Sequence, residues 1–396
     1  MRSRKNDIVC SGQVEELAGG TLQQALRFPD HGFKCTAPTI LLVLLFAAAR
    51  FTSIHDACRR LRRAPTDQAI RNALADWSPS VPELERRLNQ ALVARLPKKQ
   101  RGRRLPMVID VSEICYYGQP FKGQRELRRG QRKQGTSRFH CYATLYVPRR
   151  GQRFTIAVTY VWKHESYATI VRRLLEQAAR VGLKPRYVLL DRGFYAVEVV
   201  DYLKSVKCPF LMPVVHHGRR STKPVAQLKG TRRFLSWKRS GWSRHVMSKR
   251  NRVKQTEVKI CVACRRRRGS RPLVFAFWGF GPQSPAWVRE EYRRRFGIES
   301  SYRQMNQGRA RTCARDPVLR LLLVGIGLVL RNVWVWVHYA ILGRIRGRGI
   351  ELHLELLRLR TLLLMLQHWA ERCLGCTEDA QPAINAGLQP TQGVGW

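Results

Sequence analysis

Apolar residues recur at helical spacing through the first hundred residues of the chain. Within "SIHDACRRLRRAPTDQAIRNAL", from Ser53 to Leu74, the pattern predicts a helix, a short turn around Pro65 and a second helix. Ser53 and Thr66 stand where their hydroxyls can cap the two helices. The sequence therefore predicts a helical domain over residues 1–104.

The spacing of these two helices and their basic face are compatible with a helix-turn-helix that enters a DNA major groove. Two ordinary packed helices produce the same degenerate pattern, so both interpretations stay open. The following stretch, "LPKKQRGRRLP", is typical of a basic linker.

From residue 105 the pattern changes to short runs rich in apolar, β-branched and aromatic residues. Such runs predict strands at "LPMVIDVSEI", "FHCYATLYV", "FTIAVTYVW", "RYVLLDRGFY" and "PFLMPVV". Helical periodicity separates the last three, in "YATIVRRLLEQAARVG", which ends at Gly182, and in "AVEVVDYLKSV". Three consecutive strands followed by alternating helices and strands predict a mixed α/β sheet.

A basic segment interrupts this alternation between residues 216 and 284. Thirteen Lys and Arg residues and no Asp or Glu lie between Arg219 and Lys254, interleaved with Phe234, Trp237 and Trp242. The strand-like pieces "EVKICVAC" and "PLVFAFW" follow, so we expect a β-rich insertion that faces phosphates. Its tryptophans either stack on an exposed base or pack within the module.

The last part of the chain is again helical. A helix is predicted over "REEYRRRFGIESSYRQMNQGRAR", followed by the apolar run "LLLVGIGLVL". That run is too short to span a bilayer and predicts a buried helix. The Leu-rich stretch "IELHLELLRLRTLLLMLQHWAERC" is either a dimer contact or a packed terminal helix.

Composition adds a partner to this picture. The 396 residues include 73 Lys and Arg against 27 Asp and Glu, a net charge of +46, spread along the whole chain. Nucleic acid is the polyanion that such a charge fits best, and an anionic membrane or a purely structural nucleic-acid binder is the alternative. The sequence starts without a secretory signal, so we expect a cytoplasmic protein with reduced cysteines. Cys261-x2-Cys264 and Cys373-x2-Cys376 have zinc-like spacing, but free thiols are the favoured interpretation.

Three carboxylates stand out against this basic background. Asp110 and Asp191 lie near the ends of predicted core strands, where an unpaired charge is costly. Glu299 follows on a helix crowded with arginines. Three such side chains could hold two Mg²⁺ ions, one activating a water or a 3′-hydroxyl and the other stabilising the leaving oxygen. The surrounding arginines would then hold the substrate backbone.

The motifs "VIDVSEICYYG" and "LLDRGFY" and the spacing Tyr292-x2-Arg295-x3-Glu299 resemble the DDE transposases of bacterial insertion sequences. The subgroup that the chain resembles carries a Tyr-Arg-Glu-Lys motif. The resemblance extends from Pro106 to His338 and implies a ribonuclease-H-like α/β core with a β-rich insertion. The domain boundaries expected from it are 1–104, a helical DNA-binding domain; 105–215 and 285–345, the two parts of the core; 216–284, the insertion; and 346–396, a terminal helix and tail.

The resemblance also implies an activity and the residues that perform it. Asp110, Asp191 and Glu299 would be the catalytic residues and the ligands of two Mg²⁺ ions, with Mn²⁺ as a substitute. Tyr292 and Arg295 would bind phosphate near the cut. We expect a transposase that binds double-stranded element ends as a homodimer, nicks them and joins the freed 3′-hydroxyl to target DNA. Further substrate contacts are expected from Arg303, Trp237 and Trp242.

One position departs from the motif. Lysine is expected seven residues after Glu299, and the chain has Asn306 there. Arg303 or Arg309 could supply the missing charge. Alternatively, the protein is a transposase-derived DNA-binding protein without catalysis.

Overall fold

A mixed sheet forms the centre of the molecule. The computed structural model describes residues 8–97, 102–119, 124–148, 153–217, 230–249, 254–264, 270–346, 349–351 and 355–377. The strands have the following bounds: β1 Arg104–Cys115, β2 Arg128–Lys133, β3 Thr136–Tyr146, β4 Thr155–Val161, β5 Lys184–Leu190, β6 Phe210–Pro213, β7 Gly241–Ser248, β8 Gln255–Ala263, β9 Leu273–Trp278, β10 Arg344–Arg346 and β11 Gly349–Glu351. Of these, β1 to β9 form one sheet and β10 pairs with β11. The predicted mixed α/β architecture is confirmed.

The order of the strands brings the middle of β1 and the end of β5 together. The sheet runs β2-β3-β1-β5-β6-β9-β8-β7, and β4 also pairs with β3. β1 is parallel to β5 and antiparallel to β3, with Ile109 opposite Leu190. β5 ends at Leu190 whereas β1 continues to Cys115, so the residues that follow the paired Ile109 and Leu190 lie side by side. These residues are Asp110 and Asp191.

The basic insertion is continuous with the sheet. β6 pairs with β9, β9 with β8, and β8 with β7, all antiparallel. Residues 218–229 and 250–253, which carry part of the predicted basic segment, lie outside the described ranges. The insertion predicted from the composition is therefore β-rich, and it widens the central sheet.

Helices pack on both faces of the sheet and continue beyond its edges. Their bounds are as follows: α1 Ser11–Leu26, α2 Ala37–Ala49, α3 Ile54–Arg60, α4 Asp67–Trp77, α5 Val81–Ala94, α6 Tyr167–Arg180, α7 Val197–Ser205, α8 Pro285–Arg293, α9 Phe296–Gln307, α10 Pro317–Val337 and α11 Leu359–Leu374. The predicted helical N-terminal region is confirmed for the described residues 8–97, which precede β1. Ser53 and Thr66 cap α3 and α4 through hydrogen bonds to backbone N–H groups, as the sequence predicts.

Buried polar contacts join the helical N-terminal region to the sheet. The side-chain amide of Asn89 on α5 bonds to both the N–H and the carbonyl of Val158 on β4. Glu85, one turn earlier, accepts hydrogen bonds from the N–H of Tyr160 at 2.6 Å and from the hydroxyl of Thr159. Burial raises the pKa of Glu85 to about 7. The helix α5 thus packs directly against the central sheet.

The apolar run near residue 325 belongs to a longer helix than its sequence pattern predicts. α10 has 21 residues, and with the turn that follows it the helical segment Pro317–Leu342 is long and apolar enough to cross a membrane by length and composition. However, 89% of its most apolar window is buried inside the protein. One of its buried polar residues, Asn332, bonds to the backbone of Leu92 and Thr155. The predicted burial is confirmed, whereas the predicted shortness is wrong.

Two further helical predictions differ in detail. The helix predicted from Arg289 to Arg311 is two helices, α8 and α9, which meet at Arg294 and Arg295. The Leu-rich α11 packs within the chain, where a Cβ atom at Gly19 of α1 would lie 2.6 Å from the ring of Trp369. Of the tail after Gly375, residues 378–396 lie outside the described ranges.

Candidate active site

Asp110 is the most buried carboxylate of the site. It lies on β1, and its side chain is 14% exposed. Its Oδ1 accepts a hydrogen bond from the N–H of Val111 at 2.9 Å. Its carbonyl accepts one from the hydroxyl of Tyr302 on α9, and that hydroxyl also bonds to Thr144 on β3. Backbone and side-chain contacts therefore fix both the strand and the carboxylate.

Asp191 follows directly after β5. It begins a 3₁₀ turn over Arg192–Phe194, and its side chain is 45% exposed. The parallel pairing of β1 and β5 places it beside Asp110 at the same edge of the sheet. The sequence pattern predicted this position, because both aspartates come at or just after the apolar part of a strand.

The helices α8 and α9 cover this edge from one face of the sheet. Val288, Tyr292 and Ile298 pack into a core with Leu189 and Leu211. The hydroxyl of Tyr292 donates a hydrogen bond to the carbonyl of Leu190 at 3.3 Å, one residue before Asp191. Tyr292 is buried, so its hydroxyl holds α8 against the end of β5.

Arg295 stands between the three predicted carboxylates. Its Nη1 lies 3.2 Å from Oδ2 of Asp110, and its Nη2 lies 2.7 Å from Oε1 of Glu299 and 4.0 Å from Oδ1 of Asp191. Only 9% of the Arg295 side chain is exposed. Residues far apart in the sequence therefore converge on one buried guanidinium group.

The electrostatics of the site follow from this arrangement. The pKa of Asp110 is raised to about 6, mainly by burial; the guanidinium of Arg295 opposes this rise, and the neighbouring carboxylates of Asp191 and Glu299 add to it. Removing Arg295 would leave three carboxylates close together without a cation. A cation at this point is therefore required for all three to be ionised together.

The donor set fits a divalent metal ion after one rearrangement. Carboxylate oxygens are the hard ligands that Mg²⁺ and Mn²⁺ prefer. Within the described part of the chain, no group of three His, Cys, Asp or Glu side chains lies close enough together to hold a metal ion. Because Arg295 pairs with all three carboxylates, metal binding would require its guanidinium to move aside.

A second basic group lines the site from the opposite face, and the sequence pattern did not predict it. Arg128, Arg129 and Lys133 of β2 line a cleft of about 310 Å³ together with Asp110 and Asp191. Glu113 also lines it and pairs with Lys133 at 2.7 Å. The segment "RRGQRK" has no apolar position, so hydrophobic periodicity could not identify it as a strand.

Other residues that support the site were also missed. Tyr302 follows Glu299 on the face of α9 that meets β1, and its hydroxyl reaches the backbone of Asp110. Glu291 on α8 is buried, accepts a hydrogen bond from Tyr187 on β5, and pairs with Arg294. Helical spacing from Arg295 identifies Tyr302 as a residue of the same face. No pattern in the sequence indicates that Glu291 contacts Tyr187.

The remaining predicted substrate residues lie farther out. Arg303 is exposed on α9. Trp242 is 44% exposed on the edge strand β7, four strands from β5, and packs edge-on against Phe277 at 5.5 Å between ring centroids. Trp237 is half-buried and contacts Phe234 at 5.9 Å. Of the two tryptophans, Trp242 is the one whose ring is open to solvent.

The position that departs from the motif has an arginine neighbour. The Nε of Arg309 donates a hydrogen bond to Oδ1 of Asn306 at 3.2 Å. A guanidinium group therefore touches the residue that stands where the motif has lysine.

The cysteines with zinc-like spacing are all free thiols. Cys261 is buried on β8, Cys264 is half-buried, and Cys373 and Cys376 are exposed near the end of α11. Burial raises the pKa of the Cys261 thiol to about 12, so it stays protonated at neutral pH.

Comparisons with known proteins find one similarity in sequence and one in fold. The family model of the transposase DDE domain matches residues 107–332, more than half of the chain. No curated protein sequence matches the chain significantly. The fold is similar to that of the piggyBac transposase in a cryo-electron microscopy structure of its synaptic complex with hairpin DNA. That similarity has a TM-score of 0.56 at 10% sequence identity, and covers 93% of this chain and 82% of the other.

Proposed function

Since the chain belongs to the family of the transposase DDE domain, we propose that it is a transposase that binds the ends of a mobile element, nicks them and joins the 3′-hydroxyl to target DNA. The motif spacing supports a bacterial insertion sequence of the Tyr-Arg-Glu-Lys subgroup as the element. The substrates would be double-stranded element ends and target DNA. We further propose a homodimer on DNA and a cytoplasmic location.

The convergence of Asp110, Asp191 and Glu299 on Arg295 is the observation that carries this proposal. A structural salt bridge would need one carboxylate, and two more at the same guanidinium raise the electrostatic cost of the site. Carboxylates gathered in this way, from two neighbouring parallel strands and a helix, are suited to holding divalent cations.

The three carboxylates would hold two Mg²⁺ ions, with Mn²⁺ as a substitute. When bound, the ions would activate a water or a 3′-hydroxyl and stabilise the leaving oxygen. Tyr302 and the N–H of Val111 orient Asp110 for this role. Arg295, once displaced from the carboxylates, would bind a phosphate near the cut, because it lies at the start of α9, one turn before Glu299.

The basic surfaces would bind the DNA backbone. The exposed Arg303 extends the face of α9, and the described part of the insertion presents exposed Lys238 and Arg239 beside Trp242. Trp242 would stack on an exposed base, and Trp237 would support it through the packing of the insertion. The helix pair α3–α4 would read or position the element end.

Asn306 is the feature that favours the second candidate, a transposase-derived DNA-binding protein without catalysis. The contact between Arg309 and Asn306 favours the active enzyme, because it places a positive charge where the motif has lysine.

Cleavage of labelled element-end DNA beside a binding assay on the same preparation tests the proposal. The active enzyme nicks the end in Mg²⁺ or Mn²⁺ and stops when a chelator is added. A protein that binds the end and never nicks it would support the noncatalytic candidate. Short inverted repeats flanking the coding region would define the substrate for this assay.

A further inference from the structure

The edge strand β2 carries arginines that form no ion pair with the other described residues. Residues 129–133 are exposed along the strand. Among the residues that the structure describes, neither Arg129 nor Arg132 forms an ion pair. Arg128 lies over the ring of Tyr167 at 5.1 Å, and its Nη1 is buried without a hydrogen-bond partner in the same part of the chain. This strand therefore offers unused cationic donors beside the catalytic cleft.

The β2 cleft and the α9 helix reach the carboxylates from opposite faces of the sheet. The cleft is lined by Tyr167 and Phe194, which pack on the core that contains Ile109. In contrast, Tyr292 and Ile298 pack on the core that contains Val108. Because successive residues of a strand face opposite sides, these two cores lie on opposite faces of β1. Asp110 lines the β2 cleft and also pairs with Arg295 at the start of α9.

Strand transfer requires two DNA strands at one set of carboxylates. The oxygen of the 3′-hydroxyl attacks a target phosphorus in line with the leaving oxygen, so the strands approach from opposite directions. One P–O bond forms and one breaks, and the proton lost by the attacking hydroxyl is balanced by the proton that the leaving 3′ oxygen gains. If the element end lies on the α9 side, the β2 side remains for the strand of the target DNA.

We propose that the β2 cleft binds the backbone phosphates of the target DNA through Arg128 and Arg129, which line it, and through Arg132, which is exposed farther along the same strand. This inference rests on the proposed function and adds a separate surface for its second substrate. The charge fits a polyanion, because the exposed guanidinium groups are unpaired while the carboxylates at the base of the cleft would carry metal ions. The exposed, extended strand also suits a long ligand that continues past the cleft.

The test compares strand transfer with nicking in the double variant Arg129→Ala/Arg132→Ala. We expect strand transfer of a pre-nicked end into plasmid DNA to fall by at least about tenfold more than nicking does, because each lost phosphate contact weakens target binding. The log–log salt slope of target-duplex binding should fall by ~0.9 for each contact, or roughly 2 in total. Arg129→Lys/Arg132→Lys should retain most strand transfer, because lysine still offers a point charge to phosphate.

The matched control is Arg180→Ala/Lys184→Ala, which removes two exposed charges at the end of β5 that lies away from Asp191. It should change neither reaction. Equal loss of nicking and strand transfer in the β2 variant, or an unchanged salt slope, would overturn the assignment of target DNA to this cleft. Failure of the wild-type protein to nick would instead refute the proposed function, since nicking does not involve target DNA.

Discussion

The arginines of α8 and α9 and those of β2 lie on opposite faces of the same carboxylate site, and they differ in their partners. Three consecutive arginines at the junction of α8 and α9 each pair with a carboxylate: Arg293 with Glu290, Arg294 with Glu291, and Arg295 with Glu299. On β2, Lys133 pairs with Glu113, while Arg129 and Arg132 have no such partner among the described residues. The first group stabilises the protein, and the second remains available to a ligand.

This difference shows that, in a basic protein, the positions of the acidic residues decide which basic residues are neutralised within the fold. With 73 Lys and Arg against 27 Asp and Glu, most basic side chains cannot find a carboxylate. The basic residues that do pair with an acidic residue therefore serve the fold or the site. The density of arginine alone pointed to α8–α9 as a DNA-binding face, but three of its arginines are already neutralised within the protein.

The largest effect is expected at the carboxylates. Glu299→Gln keeps the size of the side chain and removes the charge that a metal ion needs. Nicking should fall by roughly 10³-fold or more, because metal ions contribute several kcal/mol to stabilising such transition states. Binding of the element end should remain nearly intact. Labelled-end nicking beside a binding assay measures both effects.

Glu290→Gln is the control, since Glu290 pairs only with exposed arginines of α8 among the described residues. Asp110→Asn and Asp191→Asn should match Glu299→Gln, and combining them should add little, because the three act as one unit. Normal cutting by Glu299→Gln would reduce Glu299 to a partner of Arg295.

A second prediction concerns the buried arginine. Arg295→Ala leaves Asp110 buried among carboxylates without a cation, so the free energy of unfolding should fall by roughly 3–5 kcal/mol in metal-free buffer. The freed carboxylates should then bind Mn²⁺ more tightly, and Mn²⁺ should raise the melting temperature of the variant more than that of the wild type. Thermal unfolding with and without Mn²⁺ measures both effects.

Arg293→Ala is the matched control on the same helix pair, because Arg293 is 67% exposed and pairs only with an exposed glutamate among the described residues. It should change neither the stability nor the response to Mn²⁺ appreciably. If Arg295→Ala were as stable as the wild type and indifferent to Mn²⁺, the guanidinium would not be the cation that holds the carboxylates together.

A buried carboxylate that forms no ion pair with an arginine among the described residues, Glu85, extends the comparison to another region. The hydrogen bonds of Glu85 come from Tyr160 and Thr159. Its pKa is raised from an ordinary value near 4.5 to about 7 by burial. Between these pH values the folded protein holds a proton that the unfolded chain has released, so the free energy of unfolding falls as the pH rises. Glu85→Gln should abolish this dependence. Between pH 4.5 and 7.5, the free energy of unfolding of the variant should therefore rise by about 3 kcal/mol relative to that of the wild type.

Urea unfolding of both proteins across that pH range measures the difference. Glu83→Gln on the same helix is the control. Glu83 is half-buried, and its hydrogen bonds with Arg86 and Arg87 lower its pKa to about 2. Its effect on the pH dependence therefore lies below pH 4.5. Parallel stability curves for wild type and Glu85→Gln would show that Glu85 stays ionised in the folded protein.

The sequence predicts the parts of the site that follow from local pattern. Apolar runs placed β1 and β5, and with them Asp110 and Asp191. Helical spacing placed Arg295 and Glu299 on one face, although the helix is interrupted just before them at Arg294. These features depend on periodicity, which is visible in a short window of sequence.

The parts that could not be predicted depend on contacts between distant residues. Arg295 and Asp110 are separated by 185 positions, and no local pattern shows that they will pair. The polar strand β2 forms because its backbone pairs with β3, beyond the end of the apolar sheet. The insertion joined the central sheet for the same reason, since strand order is decided by which edges are left open.

The smallest effect is expected at Asn306. Its Oδ1 accepts a hydrogen bond from Arg309, so a positive charge already stands beside it. Asn306→Lys would place an ammonium group next to that guanidinium and lose the hydrogen bond, adding little net attraction for phosphate. Nicking should change by less than about threefold, in either direction, because a single exposed charge contributes no more than about 1 kcal/mol. Gln307→Lys, at an exposed neighbouring position, controls for the added charge. A wild-type protein without nicking activity that regains it through Asn306→Lys alone would identify the chain as a decayed enzyme, and would show that Arg309 does not replace the lysine of the motif.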